Sequence, residues 1–411
     1  MSLIRPFTGL RPVPARAADV LAPPYDVLSS AEAREQAANR PASFLHVSKP
    51  EIDLPPGVDP YSEAVYAKGA ENLQRLIEQA VLQRDPMPHY YIYRLEMNGH
   101  RQTGIVVAAS VAAYDEGRIR RHEFTRPDKE DDRVRHIEAL NAQTGPVFLV
   151  HRADGELDRG IERLTVDEPE VDVTTHDGVR HSLWVVREDS DLGLISQRIE
   201  ALGRLYIADG HHRSAAASRV AEKRRARGDG GDAPSQYFLA VTFPHDQVNI
   251  LDYNRVITDL GRFGEPAAFL EALRGVLEVT EVSGPCKPAH AASFGMYLDG
   301  SWYRLRVAPE SLPEDPVASL DVSLLHDRVI EPLLDISDPR RDKRIDFVGG
   351  IRGLQALEQR VDSGEMAVAF ALFPTSLEAL MAVADAGEVM PPKSTWFEPK
   401  LADGMVSHLL Y

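Results

Sequence analysis

The chain has 411 residues, 43% of them hydrophobic, with a formal net charge of −17 and a pI near 5.3. This length favours two or three domains with sizeable cores, and the acidic balance argues against a nucleic-acid backbone or an anionic membrane as a partner. The single cysteine, Cys286, excludes an intrachain disulfide and any cysteine-based zinc or iron–sulfur site; with neither a signal-like N-terminus nor an apolar run of membrane length, a cytoplasmic location is expected.

Residues 1 to about 120 mix helix and strand signals and form the first expected region. Ser29-Ser30 followed by Glu32 starts a short helix, and Pro60 to about Gln83 has the apolar spacing of a longer amphipathic one. Tyr90–Met97 and Gln102–Ala113 read as strands joined through Asn98-Gly99, a strong two-residue turn signal. From 121 to 256 strands and helices alternate, which predicts an α/β core: a helix over Asp128–Ala142, a strand Val147–His151, a hairpin through Asp177-Gly178, a helix after Ser190, and an apolar strand Tyr237–Phe243 suited to a sheet centre. Residues 257–411 form the third expected region, with helices near Pro266–Val276, Pro316–Glu331, Gly350–Ser363 and Ser376–Ala386, a hairpin through Asp299-Gly300 and a strand Met366–Phe373.

The densest chemistry lies in Tyr206-Ile207-Ala208-Asp209-Gly210-His211-His212-Arg213, a buried strand, a one-glycine turn and a helix start carrying two imidazoles and a guanidinium. First-turn N–H groups of a helix lack intrahelical partners and sit at its positive end, so this pattern points to phosphate. Arg213 adds a planar charged fork, Gly210 permits close approach or positive φ, and Asp209 is placed to hold Mg²⁺ through one oxygen. The plain alternative for Asp209 alone is a helix cap.

Other segments carry usable groups with plain alternatives. His122-Glu123 precedes an acidic helix start, Asp128 to Asp132, read as a solvated end, whereas a carboxylate at Glu123 beside a phosphate site suits a general base. Lys393-Ser394-Thr395, in a proline-rich stretch, offers a point charge and two hydroxyls to a phosphoryl group, or is a stiff connector. Arg340 to Gly350 joins basic residues to a diglycine and reads first as a turn, Asp252 to Arg255 offers polarity beside an apolar strand, and Lys223 to Arg227 reads as a solvated helix end. Walker, dinucleotide, nucleophile-elbow and zinc-helix motifs are absent from these places.

Together Ala22-Pro23-Pro24-Tyr25-Asp26-Val27, Ala208 to Arg213, Leu251 to Arg255, Arg344 to Gly350 and Met390 to Lys400 resemble domain-of-unknown-function family 1015 from end to end. Asp209 to Arg213, His122-Glu123 and Pro392-Lys393-Ser394-Thr395 are also similar, in order and placement, to the motifs of free-serine kinases of the ParB/sulfiredoxin fold. That resemblance implies an α/β (α+β) fold with a ParB/sulfiredoxin-like core elaborated by N- and C-terminal α/β segments. The late loop would return to the core.

The same resemblance implies a Mg²⁺- and ATP- or ADP-dependent phosphotransferase on a small hydroxylated metabolite, with serine as first candidate. Glu123 would be the base, Asp209 the catalytic or metal carboxylate, Gly210, His211, His212 and Arg213 the phosphate clamp, and Lys393, Ser394 and Thr395 further phosphate ligands. His122, Trp396 and Lys400 would line the substrate. The kinases have Arg-His where this chain has Trp396-Phe397, which removes charge complementarity at the substrate end. A phosphoserine-type phosphatase and a ParB-like nucleotide-binding or DNA-associated regulator are the alternatives; the negative charge and lack of a helix-turn-helix signal oppose the latter.

Overall fold

Asn98-Gly99 turns the strand Tyr90–Met97 directly into His100–Ser110, and this hairpin is the middle of a nine-stranded sheet in the computed structural model, which describes residues 2–411. In spatial order the strands are Ile119–Arg120, Leu205–Asp209, Val147–His151, Tyr237–Pro244, His100–Ser110, Tyr90–Met97, Arg180–Val186 and Val171–Thr174, with Ile4–Arg5 also pairing with His100–Ser110. Every residue of Tyr237–Pro244 is buried; this strand runs parallel to Val147–His151 on one side and antiparallel to His100–Ser110 on the other. The fold is mixed α/β, as expected.

The chain divides into two compact units, residues 1–248 with 399–411, and 249–398. The expected break near 120 is therefore corrected: strands from both sides of it pair in one sheet, because Tyr237–Pro244 needs His100–Ser110 to satisfy its second edge. The expected third region also loses its last residues to the first unit, where Ser407–Leu409 pairs with Gly9–Pro12 and with Ala142–Gln143.

Helix starts are legible in the residues. Ser29 and Glu32 form a reciprocal capping box on Ser30–Ala37. The helix Glu63–Glu78 is shorter than its apolar pattern, since Leu82–Arg84 leaves to pair with Gly9–Pro12.

Two helices position the site. Pro127–Leu140 and His211–Arg225 lie side by side, with Arg126 against His212, Arg219 against Glu130 and Asp131, and Lys223 against Glu138, so their N-termini share one end. The small face Ala216, Ala217 and Ala221 lets the second helix approach closely: Ala217 and Ala221 join the sheet core with Ile207 and Leu149, while Ala216 and Val220 pack on Val134, Ile137 and Leu410. Fully burying a branched aliphatic side chain such as Ile207 contributes about 2 kcal/mol. At the basic end of this helix Lys223, Arg225 and Arg227 are exposed, as a solvated end should be, while Arg224 donates to the Leu410 carbonyl at 2.9 Å and to Asn141 at 2.5 Å. The acidic start of its neighbour is likewise engaged, through Asp131 with Arg219 and Asp132 with Arg133.

The second unit is built on a six-stranded antiparallel sheet in the order Glu278–Val282, Ser301–Arg306, Ser293–Leu298, Val368–Leu372, Tyr253–Ile257 and Ile345–Gly349. Val256, Trp302, Val348, Leu357, Ala369 and Ala371 belong to its core. Among the described residues no helix is long and apolar enough to cross a membrane.

Candidate active site

Asp209 ends its strand, and Gly210 turns the chain into the helix with φ of 98°. That left-handed backbone admits glycine without strain, and a Cβ there would stand 3.0 Å from Arg213 Nε. Gly210 is itself the N-cap, with no side chain accepting from the first turn, so the capping alternative for Asp209 is set aside. The carboxylate is instead held by two cations, with Lys400 Nζ 3.3 Å from Oδ2 and Arg213 Nη2 3.6 Å from Oδ1. Burial opposes its charge, but Lys400 and Arg213 outweigh burial and hold Asp209 well below the usual carboxylate range.

The loop after Ile119–Arg120 brings His122 and Glu123 onto the same turn. The backbone N–H of His122 points at His211 Nε2 at 3.5 Å, and the two rings meet edge to face at 4.5 Å. With Nε2 accepting, the His211 proton sits on Nδ1, which faces Glu123 Oε2 at 3.5 Å. Burial pushes His211 well below the ordinary histidine value, with help from His122, and pushes His122 down to about 4.

His211 is buried, with Nε2 facing the His122 N–H and Nδ1 facing Glu123. His122 is also buried. Glu123 keeps about half of its side chain exposed. His212, partly exposed, accepts from the Arg126 N–H at 3.0 Å through Nε2, which leaves Nδ1–H as a donor. Burial lowers its pKa.

Arg213 is the hub of the turn. Its Nη1 donates to the Pro146 carbonyl, and Nη2 lies 3.6 Å from Asp209 and 3.9 Å from Asp26. Asp26 belongs to the early Pro-Pro-Tyr-Asp segment, whose Tyr25 ring carries the Arg133 guanidinium 3.9 Å above its centroid. Ala22 and Asp403 exchange backbone hydrogen bonds at 2.9 and 3.2 Å, fastening that segment to the last strand region. Tyr25, Asp26, Arg133 and Asp403 had no individual assignment from sequence. The proline-rich segment and the C-terminal Asp403 were the available signals, and neither shows its neighbours in one dimension.

Lys393, Ser394, Thr395 and Trp396 belong to the second unit. There Lys393 takes the left-handed backbone (φ 59°), its carbonyl accepting from Arg255 at 3.0 Å and its Nζ lying 5.5 Å from the Tyr253 ring. The Ser394 hydroxyl donates to the Pro391 carbonyl at 2.6 Å, so its proton is spent inside the loop, and Thr395 is partly buried. Trp396 Nε1 donates to Glu398 at 2.8 Å.

The polar strand and the diglycine prove to be one structural node. Asp252 accepts from Asn254 at 2.6 Å, its carbonyl accepts from Gly350 N at 2.7 Å, and a Cβ on Gly350 would meet Asp252 Oδ1 at 2.4 Å. The diglycine is a close-packing device, and the helix beyond it starts only at Gln355. His326, Asp327 and Glu331 form the one group of three histidine and acidic residues, among the described residues, whose ligand atoms lie within 4.8 Å of one another; it is also in the second unit.

The sequence profile of DUF1015, a family described as proteins of unknown function, matches residues 4–323. The chain belongs to this family. No curated protein matches it. Solved structures similar to this DUF1015 member include a free serine kinase in complex with AMP, at 14% identity and a TM-score of 0.34 over 72% of this chain and 86% of that one. SbnI with a C-terminal truncation, from Staphylococcus aureus, aligns at 13% identity and a TM-score of 0.37 over 72% and 85%. A conserved hypothetical protein from Pyrococcus furiosus aligns at 15% identity and a TM-score of 0.33 over 73% and 93%. What this DUF1015 chain itself presents is a helix N-terminus ringed by Asp209, Arg213, Lys400, His212 and Glu123.

Proposed function

We propose that the protein is a nucleotide-dependent phosphotransferase acting on a small hydroxylated metabolite, with serine as the first candidate acceptor. One observation carries the reading: Glu123 and Lys400, remote from each other in sequence, both reach the Asp209–Arg213 turn, Glu123 beside His211 and Lys400 on Asp209. A plain helix start has no need of either. Two helix N-termini at one end, with Arg213, Lys400 and the His212 Nδ1–H, suit the charge spread over phosphoryl oxygens. The motif resemblance set out from the sequence supports the same class.

In this reading Glu123 takes the acceptor hydroxyl proton, steadied by the His211 Nδ1–H. Asp209 stays ionised and fixes Arg213 and Lys400 toward the transferring group. Because both Asp209 oxygens already face cations, the residues fit Mg²⁺ as an ion carried mainly by nucleotide phosphates and water, with at most one Asp209 oxygen added. Such an ion would supply further neutralisation of phosphate charge.

The test is incubation of the purified protein with serine or related alcohols, Mg²⁺, and ATP or ADP, followed by ³¹P NMR. A phosphate ester is expected, and no ester from any donor would sink the proposal. Phosphate release from phosphoserine in the absence of nucleotide would instead indicate transfer to water.

A further inference from the structure

A narrow pocket, partly open to solvent and wide enough for a group of about the size of water or an ammonium head, lies beside the Asp209–Arg213 turn in the first unit, and Tyr25, Arg133, Thr144, Gly145, Arg213 and Asp403 are among its lining residues. Asp403 is the group there without an evident task. It is 1% exposed, and neither carboxyl oxygen has a partner at full hydrogen-bond geometry, the nearby Ser48 hydroxyl being close enough only to oppose the rise in its pKa. Its backbone is fixed by two hydrogen bonds with Ala22, so the side chain is held at the pocket by the fold. The nearby Ser48 hydroxyl donates to the Phe44 carbonyl at 3.3 Å.

The two guanidinium groups of the pocket are committed elsewhere. Arg133 places Nε and Nη2 on Asp132 at 2.9 and 2.7 Å, and Arg213 serves Pro146, Asp209 and Asp26. A buried carboxyl whose two acceptors lack full hydrogen bonds costs free energy unless something brings N–H donors to it. Each cation has its own carboxylate, so the uncommitted site in the pocket is an acceptor and calls for a donor-rich, positively charged group.

We propose that Asp403 is the recognition group for a small primary amine, receiving its ammonium group in the pocket beside Arg213. This rests on the phosphotransfer reading and narrows it: the acceptor is an amino alcohol or a hydroxy amino acid, its amine on Asp403 and its hydroxyl toward the turn that Arg213 shares. A primary ammonium offers three N–H donors to the two oxygens. Burial pushes the Asp403 carboxyl up to about 7, with Asp26 adding to the rise while Arg213, Arg133 and Ser48 oppose it. Tyr25 and the neutral His136, held by the Val47 carbonyl at 3.0 Å, are the remaining titratable groups of the lining. The carboxylate form that an ammonium needs is therefore depleted below neutrality, and amine affinity rises with pH across that range.

Calorimetric titration of the full chain with L-serine, ethanolamine and glycerate tests this, since the three share a hydroxyl and glycerate lacks the amine. At about pH 8 serine and ethanolamine should bind at least about tenfold tighter than glycerate, and Asp403→Asn should remove that preference while leaving glycerate unchanged. Wild-type affinity for ethanolamine should fall about tenfold between about pH 8 and pH 6 and be flat in Asp403→Asn. If the variant does not fold, the wild-type pH profile and the glycerate comparison decide alone. Equal binding of glycerate and serine, or unaltered amine binding by Asp403→Asn, overturns the proposal. Phosphorylation of glycerate as readily as serine would overturn the amine site and leave phosphotransfer standing, whereas amine binding through Asp403 with no turnover from any donor would do the reverse.

Discussion

Glu123 is half exposed while the His211 ring that faces its Oε2 is buried, so one side of the carboxylate rests on the protein and the side chain still reaches the surface. Glu123→Gln keeps the shape but loses basicity, so the phosphotransfer rate should fall about 10²- to 10⁴-fold with nucleotide affinity little changed, read by steady-state kinetics and nucleotide titration. Lys400 acts on Asp209 at 3.3 Å and is one of the two cations that keep it ionised. Lys400→Met removes that attraction and raises the Asp209 pKa toward its ordinary range. The acid limb of the pH–rate profile should then move to higher pH; an unmoved limb would show that Asp209 ionisation does not govern the reaction. Residue identity made Asp209 and Glu123 legible as chemistry. It did not tell His211 from His212, because adjacent first-turn positions point one ring into the protein and the other toward its rim.

At the scale of the element, the strand–glycine–helix unit works because Gly210 reverses the chain at φ 98° just where the Arg213 side chain folds back. Gly210→Ala meets both a disfavoured backbone and the guanidinium 3.0 Å away, so it should cost about 1–2 kcal/mol of stability and a larger share of activity as Arg213 is pushed from Asp209. Urea unfolding and turnover, measured on the same preparation, separate the two effects. The strand, the turn and the helix are readable in sequence because hydrophobic alternation, glycine and a polar start are local signals. The parallel alignment of Pro127–Leu140 with His211–Arg225, which doubles the positive helix ends, depends on contacts 88 and 89 residues apart, those of Arg219 with Asp131 and Glu130.

Across the whole molecule the titration of the interior has a definite sign. Burial depresses His122, His136, His181 and His408 to about 4 and His151 to about 3. Between those values and the ordinary 6.5 the unfolded chain binds protons that the folded chain refuses, so their contribution is full above about pH 6.5 and is lost as pH falls toward 4, at about 1.4 kcal/mol per pH unit for each group. Asp403, raised to about 7, and Asp321, raised to about 6, act oppositely, favouring the folded state at low pH and losing that contribution as pH rises. Five groups outweigh two. The urea midpoint should therefore drop steadily between about pH 6.5 and 4.5, and a flat profile would contradict the burial of these imidazoles.

The sequence by itself determined the elements and the chemistry near Asp209: the hairpin at Asn98-Gly99, the capped helix at Ser29, the apolar central strand at Tyr237, and a helix start dense in polar groups. These rest on interactions within a few residues, which a one-dimensional pattern records. Only the tertiary structure decided that residues 399–411 rejoin the first unit, that Lys400 clasps Asp209, that His211 turns inward to Glu123, and that Asp403 faces a pocket without a partner at full hydrogen-bond geometry. Those depend on which distant segments satisfy one another's backbone and charge, and pairings such as Ala22 with Asp403 are fixed only once the sheet has closed around them.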